Sequence, residues 1–247
     1  LVANLNLDRT LLVYGIVAAV SAAAFFALAK ECPPTPPCPP EQEQRSLAME
    51  GLRRAVAEPS FRILMVILFV GLGLFNGVTT WIESIVRPRG FGSAQAGLVG
   101  GLMVAGGVVG ALVLPALSDR LRRRVPVIRV ALVGATLGLL GVTFATSYGL
   151  LIASSLTLGF SLLSAGPIAF QYAAEVTYPA PEATTNGLLL LMGQVSGILF
   201  ALAMDAIKSP ATGAMTGSLV VLAVLMVGTL ALRSRLKEST LLTQLRR

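Results

Sequence analysis

Histidine is absent from the 247 residues, and cysteine occurs only twice. Without histidine the chain lacks the commonest metal ligand, the commonest general base and one familiar proton relay. Cys32 and Cys38 are separated by five residues, which fits neither a CxxC redox pair nor a zinc knuckle, so they read as free thiols. Charge is also scarce, at 13% of residues, and no Asp or Glu falls at the centre of a long apolar run. No paired carboxylates are available to activate a nucleophile, so neither enzyme chemistry, a metal nor a cofactor is expected.

What fills the chain is apolar surface: 55% hydrophobic residues and a mean hydropathy of +0.79, far too apolar for a soluble domain of this length. The fold class expected is all-α, a polytopic bundle in a lipid bilayer. A net charge of +7 would suit nucleic acid, but the basic residues cluster between apolar runs, as juxtamembrane charge does. Seven runs read as spans: Thr10 to Ala29, Phe61 to Ile85, Gln95 to Leu117, Pro126 to Thr146, Gly149 to Tyr172, Thr184 to Ala206 and Met215 to Leu232. A cleaved signal peptide is the alternative for the first run, and charge argues against it. If that run enters from outside, fifteen of the nineteen Lys and Arg fall on the inner side, leaving Arg9, Arg87, Arg89 and Lys208 outside. The organisation expected is a span over 1–29, an inner linker over 30–60, a six-helix bundle over 61–232 and a basic inner tail over 233–247. The CPPTPPCPP part of the linker reads as extended polyproline. Ala48, Leu52, Ala55 and Val56 share one face of a short helix, either on the inner leaflet or as an ordinary linker helix ended by Pro59. An odd number of spans, an outside start and a first residue other than Met suggest a chain cut from something longer.

The hairpin from Gly149 to Ala206 carries Gln171 and Gln194 in its arms, and Asn76 lies in the middle of the second run. An unpaired amide there costs a few kcal/mol, so each should face the bundle interior. Each serves either solute contact or an interhelical hydrogen bond; Gln171, nearer the inner end, leans to structure. Gly97 with Gly101, Gly106 with Gly110, and Gly134 with Gly138 are small-xxx-small pairs that favour close helix packing. Local ion pairs are expected for Glu83 with Arg87 and for Asp205 with Lys208.

One span, a long linker, then six spans with a basic loop after the second of the six resembles the second half of a major facilitator superfamily transporter from its sixth helix onward. The loop LSDRLRRR resembles that superfamily's cytoplasmic motif through Asp119, Arg120, Arg123 and Arg124, although Pro115 and Arg122 stand where glycines are expected. A narrower likeness covers Gly73 to Phe200. There Glu175, Thr177, Tyr178, Pro179, Glu182, Gly187, Gln194, Gly197 and Ile198 match a pattern similar to solute carrier family 49, the family of the feline leukaemia virus subgroup C receptors. The resemblance implies two inverted three-helix repeats, alternating access and a small organic solute, with choline-like amines and haem as the family's substrates. Choline-accepting members place an aromatic where Asn76 stands, which puts choline itself in doubt, whereas Gln194 matches the family's glutamine in the eleventh helix. Asp119, Arg120, Arg123, Arg124, Glu175 and Glu182 are then candidates for ion pairs that close the inner side. The partners implied are a solute, the bilayer and a missing N-terminal bundle of the same chain, in a plasma membrane with linker and tail inside. Transport would be facilitative or coupled through the missing half. The alternative is a non-transporting receptor or assembly subunit that kept the bundle.

Overall fold

The computed structural model describes residues 7–29, 48–210, 212–232 and 235–238, so Cys32, Cys38, the proline-rich linker and the end of the tail lie outside the described residues. The chain divides into two units, Leu1–Gln44 and Arg45–Arg247. The first contains α1, Leu7–Leu28, whose 22 residues are long and apolar enough to cross a bilayer.

The second unit holds α2 (Ala48–Ala57), α3 (Pro59–Thr80), α4 (Ile82–Val86), α5 (Ser93–Leu121), α6 (Val125–Phe144), α7 (Tyr148–Thr177), α8 (Glu182–Ile207) and α9 (Thr216–Leu232). Regular structure among the described residues is helical, and α1, α3, α5, α6, α7 and α8 have the length and composition of membrane spans. The seventh expected span comes up short: α9 has 17 residues, about 26 Å at 1.5 Å each. The run read as one span over 61–85 is broken at Trp81, whose indole N–H leaves its own helix to donate to the Ala201 carbonyl of α8 at 3.0 Å. Most of the polar link in the hairpin is helical, so that α7 and α8 are joined by residues 178–181 alone. Short α2 starts α3 through Glu58, whose carboxylate accepts the Ser60 N–H, and packs on α3 and α8 with Ala55 fully buried.

Two long seams organise the bundle, α5 along α7 and α3 along α8; α6 packs on α7, α9 on α3, α6 meets α9 and α3 meets α7. Exchanging α3 with α7, α5 with α8 and α6 with α9 maps these contacts onto one another, while the contact of α7 with α8, which follow each other in the chain, has no counterpart between α3 and α5. Successive contacts of Gly73 with Ser196 and Gly77 with Met204 show α3 and α8 running parallel. Since α7 ends where α8 begins, α3 and α7 run in opposite directions, as two inverted three-helix repeats require.

Glycine makes the seams close. A Cβ on Gly110 would overlap the Phe160 carbonyl, and one on Gly159 would overlap the Met103 carbonyl, so both backbones touch where any side chain would part them. Gly106, Gly134 and Gly138 are similarly crowded by α7. Gly97 and Gly101 are not: nothing lies within 4 Å of a Cβ on either, so that pair does not pack helix on helix in this unit. Gly159→Leu is therefore expected to lower stability by about 3 kcal/mol, because a backbone carbonyl cannot move aside as a side chain can. Gly97→Ala should leave the thermal midpoint in detergent within a degree or two, a comparison made on the purified variants.

Candidate functional site

At one end of the bundle the chain turns from α5 into α6 within three residues. Arg122 adopts the left-handed conformation (φ 50°) that ends α5, and its N–H returns to the Asp119 carbonyl at 3.2 Å. The Arg123 N–H donates to the Ser118 carbonyl at 3.3 Å, and the Ser118 hydroxyl donates to the Arg123 carbonyl at 3.0 Å. This tight turn folds the Arg124 side chain inward, where only 7% of the residue remains exposed.

A buried guanidinium demands acceptors, and three side chains supply them. Nε donates to Glu175 Oε1 near the end of α7 at 3.0 Å, and Nη1 donates to Ser118 Oγ at 3.2 Å and to Asp119 Oδ1. Burial works against the charge on Arg124, and the hydrogen bonds and charges of Asp119 and Glu175 outweigh it, holding the group above its ordinary value. Asp119 is half exposed at 52%, whereas Glu175 is 17% exposed and its Oε2 is buried without a partner among the described residues. Of the six residues expected at the inner gate, the fold brings together Asp119, Arg124 and Glu175. Arg120 and Arg123 are exposed, and Glu182 is exposed in the first turn of α8.

Three contributors escaped sequence reasoning. Ser118 is fully buried beside Arg124. Glu238, in a tail read as basic, accepts the Arg124 N–H at 3.2 Å and the Val125 N–H at 3.1 Å. Tyr172, also fully buried, donates its hydroxyl to the Lys237 carbonyl at 2.6 Å. More than sixty residues separate Tyr172 from its acceptor and more than a hundred separate Glu238 from α6, so no local spacing could reveal either.

The opposite end of α6 is also held by charge. Arg89 donates to the Val142 and Thr143 carbonyls at 2.6 and 2.9 Å, placing a cation on the helix C-terminus. Glu83 pairs loosely with Arg87 at 3.9 Å, as expected. Lys208 does not pair with Asp205; its Nζ stands 5.6 Å from the centre of the Trp81 ring.

Between these ends lie the amides. Asn76 is half-buried on α3 against Gly197 of α8, where a Cβ would come within 2.8 Å of its Nδ2. Gln194 is exposed on α8, next in sequence to Gly193, which packs on Leu72 of α3, so of the two amides Asn76 is the one that lies in the α3–α8 seam. Gln171 is exposed on α7, one turn before Glu175. The interhelical hydrogen bond that a packing role requires is made by none of these three side chains among the described residues.

The family model of the Major Facilitator Superfamily matches residues 1–201. An uncharacterized protein of Archaeoglobus fulgidus is 29% identical over 201 residues, covering 81% of this chain and 88% of its own. Solute carrier family 49 member A3 of Danio rerio is 26% identical over 211 residues, covering 83% of this chain and 44% of its own. A choline/ethanolamine transporter of Mus musculus is 28% identical over 212 residues, covering 81% of this chain and 37% of its own. The chain thus spans less than half the length of each of these two relatives.

Arg124→Gln leaves Glu175 with no cation and is expected to cost about 3 kcal/mol. Asp119→Asn, at a half-exposed pair, should cost less than about 1 kcal/mol. Thermal midpoints of the two variants in one detergent check that order.

Proposed function

The chain belongs to the Major Facilitator Superfamily, and from that premise we propose that this multi-pass membrane protein carries a small organic solute across the bilayer by alternating access. The observation that carries the reading is two amides whose side chains have no hydrogen-bond partner among the described residues, Asn76 against Gly197 on the α3–α8 seam and Gln194 exposed in the middle of α8. Polar groups at that depth are costly unless they meet a ligand or a second protein wall. In this reading the six helices α3 and α5–α9 are one half of the carrier, the N-terminal bundle of a longer chain is the other, and α1 corresponds to the sixth span. The solute sits between the halves, near Asn76 and Gln194, with Gln171 lower on the same path. The membrane is the plasma membrane, with the Arg124 turn and the tail on the cytoplasmic side, where the weight of positive charge falls.

Closure of the cytoplasmic side is assigned to Arg124 with Glu175 and Asp119, and opening to the breaking of these pairs as the bundle rocks. Arg120, Arg123 and Glu182 surround this pair in sequence and set the charge of the entrance. Relatives named for choline and ethanolamine make small amines the first solutes to try. Asn76 offers no aromatic face to a quaternary ammonium, so selectivity is expected to shift toward amines that accept or donate hydrogen bonds.

The test is uptake into proteoliposomes by the complete protein, with a panel of amines, choline analogues and haem. Gln194→Ala is expected to reduce uptake at least ten-fold with an unchanged thermal midpoint, and a midpoint shift with uptake intact would return Gln194 to packing. Asn76→Trp should improve binding of choline-like cations relative to primary amines by about 1 kcal/mol, read from competition against the best solute of the panel.

A further inference from the structure

We infer that Glu238 is a positioning residue of the proposed gate, holding the amino end of α6, and through it the Arg124 side chain, in the paired state. The inference rests on the gate assigned to Arg124 and Glu175. The first N–H groups of a helix have no acceptor within the helix. In α6 the residue before the first turn is Arg124 itself, in a helical conformation (φ −87°, ψ −50°) and with no capping bond from its own side chain. Glu238 supplies what is missing: Oε2 accepts from Arg124 N and Oε1 from Val125 N, at 3.2 and 3.1 Å. A carboxylate at this place also meets the positive end of the helix dipole.

The geometry makes the cap relevant to the gate. Arg124 is held by its backbone to Glu238 and by its side chain to Glu175, so the peptide that the tail fixes also determines where the guanidinium points. The tail is anchored separately to α7: Leu236 is 5% exposed, and Lys237 offers its carbonyl to Tyr172, three residues before Glu175. Residues 236–238 therefore bridge the beginning of α6 and the end of α7, the two ends that must part when Arg124 releases Glu175. Glu238 is also the single acid after Asp205, in a stretch that otherwise carries only positive charge. Separation of the α6 and α7 ends must break the Glu238 cap or the Tyr172 bond, and the tail thus favours the closed arrangement.

The test uses the complete protein in nanodiscs, where both faces are open to reagent, with Cys32 and Cys38 replaced by serine and one reporter cysteine at Ala174 beside Glu175. The rate of labelling by a membrane-impermeant maleimide reads opening. Glu238→Ala is expected to label about five-fold faster than the parent, and Glu238→Gln to fall between them because its amide oxygen still accepts one N–H. Tyr172→Phe should also label faster, and the double variant Glu238→Ala with Tyr172→Phe no faster than Glu238→Ala alone, since both act through one bridge. Glu175→Gln is the control for the gate itself. Faster labelling of Glu175→Gln with Glu238→Ala at the parent rate would overturn the role of the tail and leave the gate standing. Parent-rate labelling of Glu175→Gln would overturn both. A role in fold stability alone would lower the thermal midpoint of Glu238→Ala without changing the labelling rate, and that too would overturn the inference. Glu238→Gln and Tyr172→Phe carry the same comparison if the alanine variant does not fold.

Discussion

The placement of one guanidinium governs the basic end of this bundle. Arg124 is buried next to the ends of apolar helices, where an unpaired charge would cost several kcal/mol. Its acceptors come from the end of α5 and the end of α7, while its own backbone begins α6, so satisfying one side chain fixes three helix ends. The tail adds a fourth segment through Glu238. Arg89 holds the far end of α6 by its last carbonyls, so this helix is gripped by charge at both ends while its middle packs on α7 through small residues.

Between the charged ends, cohesion comes from contact without hydrophobic drive, since lipid is as apolar as leucine. The two glycine-lined seams, α5 with α7 and α3 with α8, are equivalent under the exchange that relates the two repeats. They differ in polarity: on the α3–α8 seam Asn76 lies over Gly197, whereas the α5–α7 seam brings Gly110 and Gly159 onto carbonyls. In the proposed carrier, the two repeats, a polar group on one seam and an ion pair at one end would be the components of a two-state device.

Much of this was legible from composition and periodicity. Apolar length and the distribution of Arg and Lys gave six of the helices within a few residues, and the Asp119 to Arg124 loop marked the charged end. Three features were not readable for identifiable reasons. The break at Trp81 depends on a carbonyl of α8 that is 120 residues away. Crowding at Gly110 and its absence at Gly97 depend on which face of α5 meets α7, which the spacing of glycines alone does not specify. The choice of Arg124 over Arg120 and Arg123 follows from the left-handed turn at Arg122, since four arginines in five residues look alike until the backbone turns one of them inward.

A charge swap across the ion pair tests the central claim most directly. Spin labels at Leu121 and Ala174 of the complete protein report the distance between the ends of α5 and α7 in nanodiscs. The parent should give one short distance, Arg124→Glu and Glu175→Arg should each shift the distribution to longer values, and the double swap should restore the short peak. A short distance that survives both single reversals, or a double swap no better than either, would show that the pair does not hold this end closed.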